Sequence, residues 1–112
     1  MKFDKKRLFA MSIDEFDDSP EGWRSLADGT KEGRLRCART IEEYLKEFNN
    51  ELTQKVAEDK AHLWFHAGQC WAGAGKDYYD LALRCFEMST KNWHSEAARL
   101  YRVATVAFMK KD

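Results

Sequence analysis

The sequence predicts an all-α fold, and three observations carry that expectation. One Pro and six Gly interrupt 112 residues. β-branched residues nowhere gather into an alternating run of the kind a half-buried strand needs. Apolar residues instead recur at spacings of three and four along most of the chain, the period that lines one face of a helix. The length suits a single domain, because two separate cores would each approach the size at which folding alone becomes marginal. The expected architecture is a compact antiparallel helical bundle over residues 30–110, preceded by a short helical arm over 1–28.

In the arm, Ser12 with Glu15 three residues later matches a capping box and starts a helical turn over Ile13 to Phe16. Ser19 followed by Pro20 is set to cap a second helix, Glu21 to Ala27, which Asp28-Gly29 ends. The acidic run Asp14 to Asp18 follows the basic Lys5-Lys6-Arg7, and the expected arrangement is a solvated arm pinned to the main body by Phe16 and Trp23. Thr30 then caps a long helix on which Leu35, Ala38, Ile41, Leu45, Phe48 and Leu52 share one face, with Asn49-Asn50 as its break.

The next helix, Val56 to Ala74, is apolar over much of its circumference. Trp64, Ala67, Gly68 and Trp71 fall on one side, Leu63, Cys70 and Ala74 on a flank, and His62, His66, Gln69 and Gly73 on a third stripe. Such a helix belongs in the centre of the bundle. Gly73-Ala-Gly75 ends it. A fifth helix follows from Asp77 to Thr90, with Tyr78, Ala82, Cys85 and Ser89 in line and Tyr79 and Phe86 beside them. Asn92 is the expected cap of the last helix, which would bury Trp93, Ala97, Leu100, Tyr101, Ala104, Ala107 and Phe108 and finish in Lys110-Lys111 at its negative end. Short loops make these helices antiparallel neighbours.

Trp64, Gly68 and Trp71, then Gly75 at the turn, then Tyr79, Ala82, Phe86 and Ser89 give an aromatic, Gly, aromatic, turn, Ala, Phe, small-residue order. In this the segment Trp64 to Ser89 resembles one tetratricopeptide repeat. It departs from that family's pattern in a turn about two residues longer and in the lack of a Pro after Ser89. The resemblance implies a helix pair and a role in holding a protein or peptide. The run His66 to Gln69 and the ending Ala104 to Asp112 also look like those of small uncharacterised bacterial helical proteins.

Composition excludes several functions. Nineteen Lys+Arg balance 19 Asp+Glu, so there is no surplus of cations for a phosphate backbone and nucleic acid is not the expected partner. No apolar run approaches the roughly 20 residues that span a bilayer, and no apolar signal core follows Arg7, so the expectation is a cytoplasmic protein without membrane contact. With 44% hydrophobic and 13% aromatic residues the chain has the material for a packed core. Its three cysteines form no C-x-x-C pair and are expected to be reduced core thiols.

The sharpest chemical pattern is His62-x-x-x-His66-x-x-x-Cys70, since a spacing of four brings side chains onto adjacent turns where they can share a metal, with His94 or Cys85 as completing ligands. The pair lacks the Glu after the first His that supplies the general base in zinc proteases. The same stripe also reads as a polar seam hydrogen-bonded between helices, or as the lining of a small polar pocket. Gly73 to Asp77 fails the phosphate-loop pattern: Cys70 stands where the first Gly belongs and Asp77 where the hydroxyl belongs. There is no Gly-x-Ser-x-Gly, and Glu42-Glu43 and Asp17-Asp18 read as solvated acids.

The expected function is therefore interaction without catalysis or cofactor: a module that binds a protein or peptide partner, or itself to give a homo-oligomer. Its contact face is expected on the last two helices through Tyr78, Tyr79 and Trp93, because so many aromatic rings strain the capacity of a small core. The alternative is a metal- or small-ligand-binding bundle centred on His62 and His66.

Overall fold

The structure, a computed structural model, describes residues 4–47, 54–91 and 95–111. Within these the chain is all-α: α1 (Lys5–Phe9), α2 (Ile13–Asp18), α3 (Lys31–Glu47), α4 (Gln54–Ala74), α5 (Tyr79–Lys91) and α6 (Glu96–Met109), with single 3-10 turns at Trp23–Leu26 and Lys76–Tyr78. Phe48, Asn49, Asn50, Leu52, Asn92, Trp93 and His94 lie outside the described residues.

Local chemistry sets most boundaries. The Ser12 hydroxyl accepts from the Glu15 N–H at the start of α2, and the Thr30 hydroxyl accepts from the Gly33 N–H at the start of α3, each satisfying a donor that the first helical turn leaves open. α6 starts at Glu96 with Ser95 as its cap, three residues beyond the expected Asn92. The expected helix Glu21–Ala27 is only the 3-10 turn Trp23–Leu26. Ser19 closes α2, and its hydroxyl accepts from the Glu21 N–H while Gly22 N–H donates to Ser19 O. The donors that a longer helix would start from are thereby spent in a turn.

α4 is the hub, packed against α2, α3 and α5. Against α3 it runs antiparallel: Arg34 donates to the Gly73 carbonyl at the negative end of α4 while Cys37 lies beside Cys70 about one turn away. Against α5 it also runs antiparallel, with Tyr78 stacked on Trp71, Phe86 over Gly68 and Ser89 donating to the Ala61 carbonyl. The reversal between them turns on Gly75, whose φ of 136° is open to glycine and strained for other residues. Gly68 allows the close approach: a Cβ there would stand 2.5 Å from the Phe86 ring, which is fully buried.

The arm packs into the same core. Phe16 is fully buried and stacks on Tyr44 of α3, with ring centroids 3.8 Å apart and planes 7° apart. The Tyr44 hydroxyl donates to the Met11 carbonyl at 2.6 Å. Phe16 and Trp23 thus pin the arm as the sequence suggests, and Leu8, Ile13 and Leu26 join them.

α6 departs from expectation. It buries Ala98 and Thr105, and Tyr101 reaches Phe65 and Phe86, but Ala97, Leu100, Ala104, Ala107 and Phe108 are exposed. Its main neighbour is α5, and one packed helix covers one stripe of another, not the broad apolar face this sequence carries.

Two outcomes test this packing. Gly68→Ala should destabilise by about 1–2 kcal/mol in urea denaturation, overpacking against Phe86 outweighing alanine's better helix propensity, and the loss should shrink in a Phe86→Leu background. Burial pushes the Tyr44 hydroxyl up to about 12 from the ordinary 10.0, with Glu15 adding to the shift. The native state therefore keeps that proton while the unfolded chain loses it, so stability is full below pH 10 and should fall as pH rises from 10 to 12, an alkaline transition absent from Tyr44→Phe.

Candidate functional site

The polar stripe of α4 meets the arm at one point. His62 and His66 stand one turn apart on α4, and Asp17, the next-to-last residue of α2, faces both. Asp17 lies with Phe16 and Ile13 on the inward side of α2 and is only 4% exposed. Its Oδ1 is 3.7 Å from His66 Nε2 and its Oδ2 is 4.0 Å from His62 Nδ1. One ligand atom from each of the three residues lies within 4.8 Å of the others.

The surroundings fix the geometry. Trp23 Nε1–H donates to Asp17 Oδ1 at 3.3 Å, and the Arg24 guanidinium stands 3.8 Å from the same oxygen. The Trp23 ring lies 5.2 Å from the His66 ring, and the Arg24 guanidinium lies over the Trp23 ring at 4.5 Å. His66 Nδ1 lies 3.3 Å from Gln69 Oε1, and the neutral tautomer with its proton on Nδ1 donates there and turns an Nε2 lone pair toward the carboxylate. Burial pushes the Asp17 carboxyl above the ordinary carboxylate range, against the pull of His66 and Trp23. Burial likewise holds His66 below its ordinary value, against the pull of Asp17. His62 is the solvent-side member, with its side chain 47% exposed.

The structure thus brings His62 and His66 together and adds Asp17, which sequence reasoning placed in a solvated loop. The missed signal was the spacing Ile13, Phe16, Asp17, which sets the acid on the apolar side of its helix. Cys70 is not in the group. It lies beside Cys37, whose thiol donates to the Trp23 carbonyl; the proximity of the two thiols lowers Cys37 and raises Cys70, and burial raises Cys85 nearby.

A second acid that joins helices, half-buried, was missed as well. Glu42, expected on an exposed face, accepts from Trp71 Nε1–H, from Arg84 and from the Cys85 thiol, joining α3 to α4 and α5. Its neighbour Glu43 pairs with Lys5 in solvent.

Of the expected contact residues, Tyr78 is half-buried, stacked on Trp71 with Lys31 over its ring, and Tyr79 is half-buried beside Phe108, at a centroid distance of 6.4 Å. Trp93 lies outside the described residues. The large hydrophobic side chains that are exposed among the described residues all belong to α6: Leu100, Tyr101, Val103, Phe108 and Met109. Among those residues no helix is long and apolar enough to cross a membrane.

No protein family, curated protein or solved structure matches this chain.

The two neighbouring acids of α3 should separate sharply. Glu42→Ala leaves an indole N–H and a thiol without their acceptor and should cost about 2 kcal/mol in chemical denaturation. Glu43→Ala breaks only an exposed ion pair and should cost less than about 1 kcal/mol in the same measurement.

Proposed function

We propose that this chain is a non-catalytic protein-interaction module and that the outward face of α6 is its binding element, occupied by the same face of a second copy. The observation that carries this reading is the concentration of exposed large hydrophobic residues on one helix, each 36–52% exposed. Leu100, Val103, Ala104 and Ala107 lie on the side of α6 away from the buried Ala98 and Thr105, and where scattered apolar residues are ordinary on a protein surface, such a stripe marks a contact.

Charge favours a second copy. α6 carries Glu96 at its start and Lys110 and Lys111 just past its end. In an antiparallel pair with its two-fold axis at Val103, Glu96 of one copy faces Lys110 of the other and Leu100 faces Val106. The arrangement is self-complementary, as an isologous dimer requires. Tyr79 against Phe108 extends the patch onto α5, which keeps the contact on the last two helices.

The area bounds the strength. One helix face offers a few hundred Å², below the roughly 800 Å² per partner of a standard interface, so the association is reversible, with a Kd on the order of tens of micromolar. A cytoplasmic setting and a repeat-like pairing of α4 with α5 belong to the same proposal, supported by the reduced thiols and the small-against-large packing at Gly68.

Sedimentation velocity from about 10 to 500 micromolar, a range set around the expected Kd, tests it. The native chain should shift from monomer to dimer. Val103→Glu, which sets like charges across the axis, should stay monomeric with unchanged far-ultraviolet circular dichroism. A native chain that remains monomeric throughout overturns the reading.

A further inference from the structure

The cluster of Asp17, His62 and His66 is independent of α6 and has a chemistry of its own. Two imidazoles one helical turn apart and a carboxylate from a different element converge on one small volume. Neither imidazole stands in hydrogen-bonding range of the Asp17 carboxylate, at 3.7 and 4.0 Å. The gap between them is wider than a shared proton would leave.

We propose that Asp17, His62 and His66 bind a divalent transition ion of the zinc class, which fastens the N-terminal arm to α4. In a tetrahedral site with bonds of about 2.0–2.1 Å, ligand atoms lie about 3.3 Å apart. The separations to the carboxylate, 3.7 and 4.0 Å, and the 4.8 Å that bounds the three ligand atoms together are all wider than this, so the side chains rotate inward to close on the ion. The donor set, two imidazoles and one carboxylate, is one that zinc accepts with a fourth position left to water, and the solvent side of His62 gives water access to that position.

The second layer is already in place. Gln69 Oε1 is placed to accept a hydrogen bond from His66 Nδ1–H, the tautomer that points the Nε2 lone pair toward the carboxylate. Two acceptors facing each other across 3.7 Å are repulsive unless a cation lies between them, and an imidazole whose other N–H is held by a carbonyl is the usual form of a metal-ligating histidine. The Trp23 indole N–H orients the carboxylate in the same way. The ligands come from α2 and α4, so ion binding closes a link between parts of the chain some 45 residues apart, and it stabilises the folded state in proportion to occupancy.

The test uses the full chain, purified without an affinity tag and stripped with a chelator, titrated with Zn²⁺ in a calorimeter and with Co²⁺ in a spectrometer. One Zn²⁺ per chain should bind and raise the melting temperature. His62→Ala, a solvent-side change that leaves the fold intact, and His66→Ala should each weaken binding more than tenfold. Gln69→Ala should weaken it about tenfold, and Cys70→Ala should leave it unchanged. The Co²⁺ spectrum should show ligand-field bands without thiolate charge transfer. Absence of stoichiometric Zn²⁺ binding overturns the proposal, and so does a thiolate charge-transfer band that disappears in Cys70→Ala, which would place the ion on the cysteines.

Discussion

The bundle hangs on how closely α4 and α5 approach at Gly68. The fully buried Phe86 ring lies where any side chain at position 68 would stand. That contact sets the distance between the two helices, and the distance sets what surrounds it: Ser89 reaches the Ala61 carbonyl at one end, and Tyr78 stacks on Trp71 at the other. Dense interiors transmit such a constraint because neighbouring side chains have few alternative rotamers. Glu42 then ties α3 to the pair, with acceptor bonds from Trp71, Arg84 and Cys85.

On the other side of α4 the arm is held by a mixture of stacking and polar contact. The parallel rings of Phe16 and Tyr44 bury the apolar side of α2. That burial carries Asp17 inward with them, since it follows Phe16 on a helix whose inward side is set by Ile13 and Phe16. A carboxylate at such a place needs compensation, because an unpaired buried charge is costly. The Trp23 indole N–H and the Arg24 guanidinium supply it, and the two histidines stand just beyond them. The proposed ion site is therefore a consequence of docking the arm, and an ion bound there would in turn strengthen the docking.

α6 stands apart from both regions. It meets the bundle through Ala98, Tyr101 and Thr105 and leaves a second apolar stripe outward. A helix with two such stripes is built to lie between two neighbours. The described residues provide one of them, chiefly α5, and the proposed dimer provides the other.

Helix identity was written in the chain itself. Ser12, Thr30 and the apolar period over residues 35–45 act within a few residues, and caps and amphipathic faces depend on little else. The centrality of α4 was also legible, because an apolar circumference has one stable location. Long-range placement was not. Asp17 and Glu42 are acids in acidic local contexts, and a neighbourhood of a few residues cannot say that Trp23 or Trp71 will fold over them. His62 and His66 were visible as a pair from their spacing, whereas their third member comes from another helix and Cys70, equally well spaced, turns toward Cys37. The apolar period of α6 was read correctly as a pattern and wrongly as burial, since periodicity states that a face seeks cover and the packing of other helices decides whether the chain itself provides it.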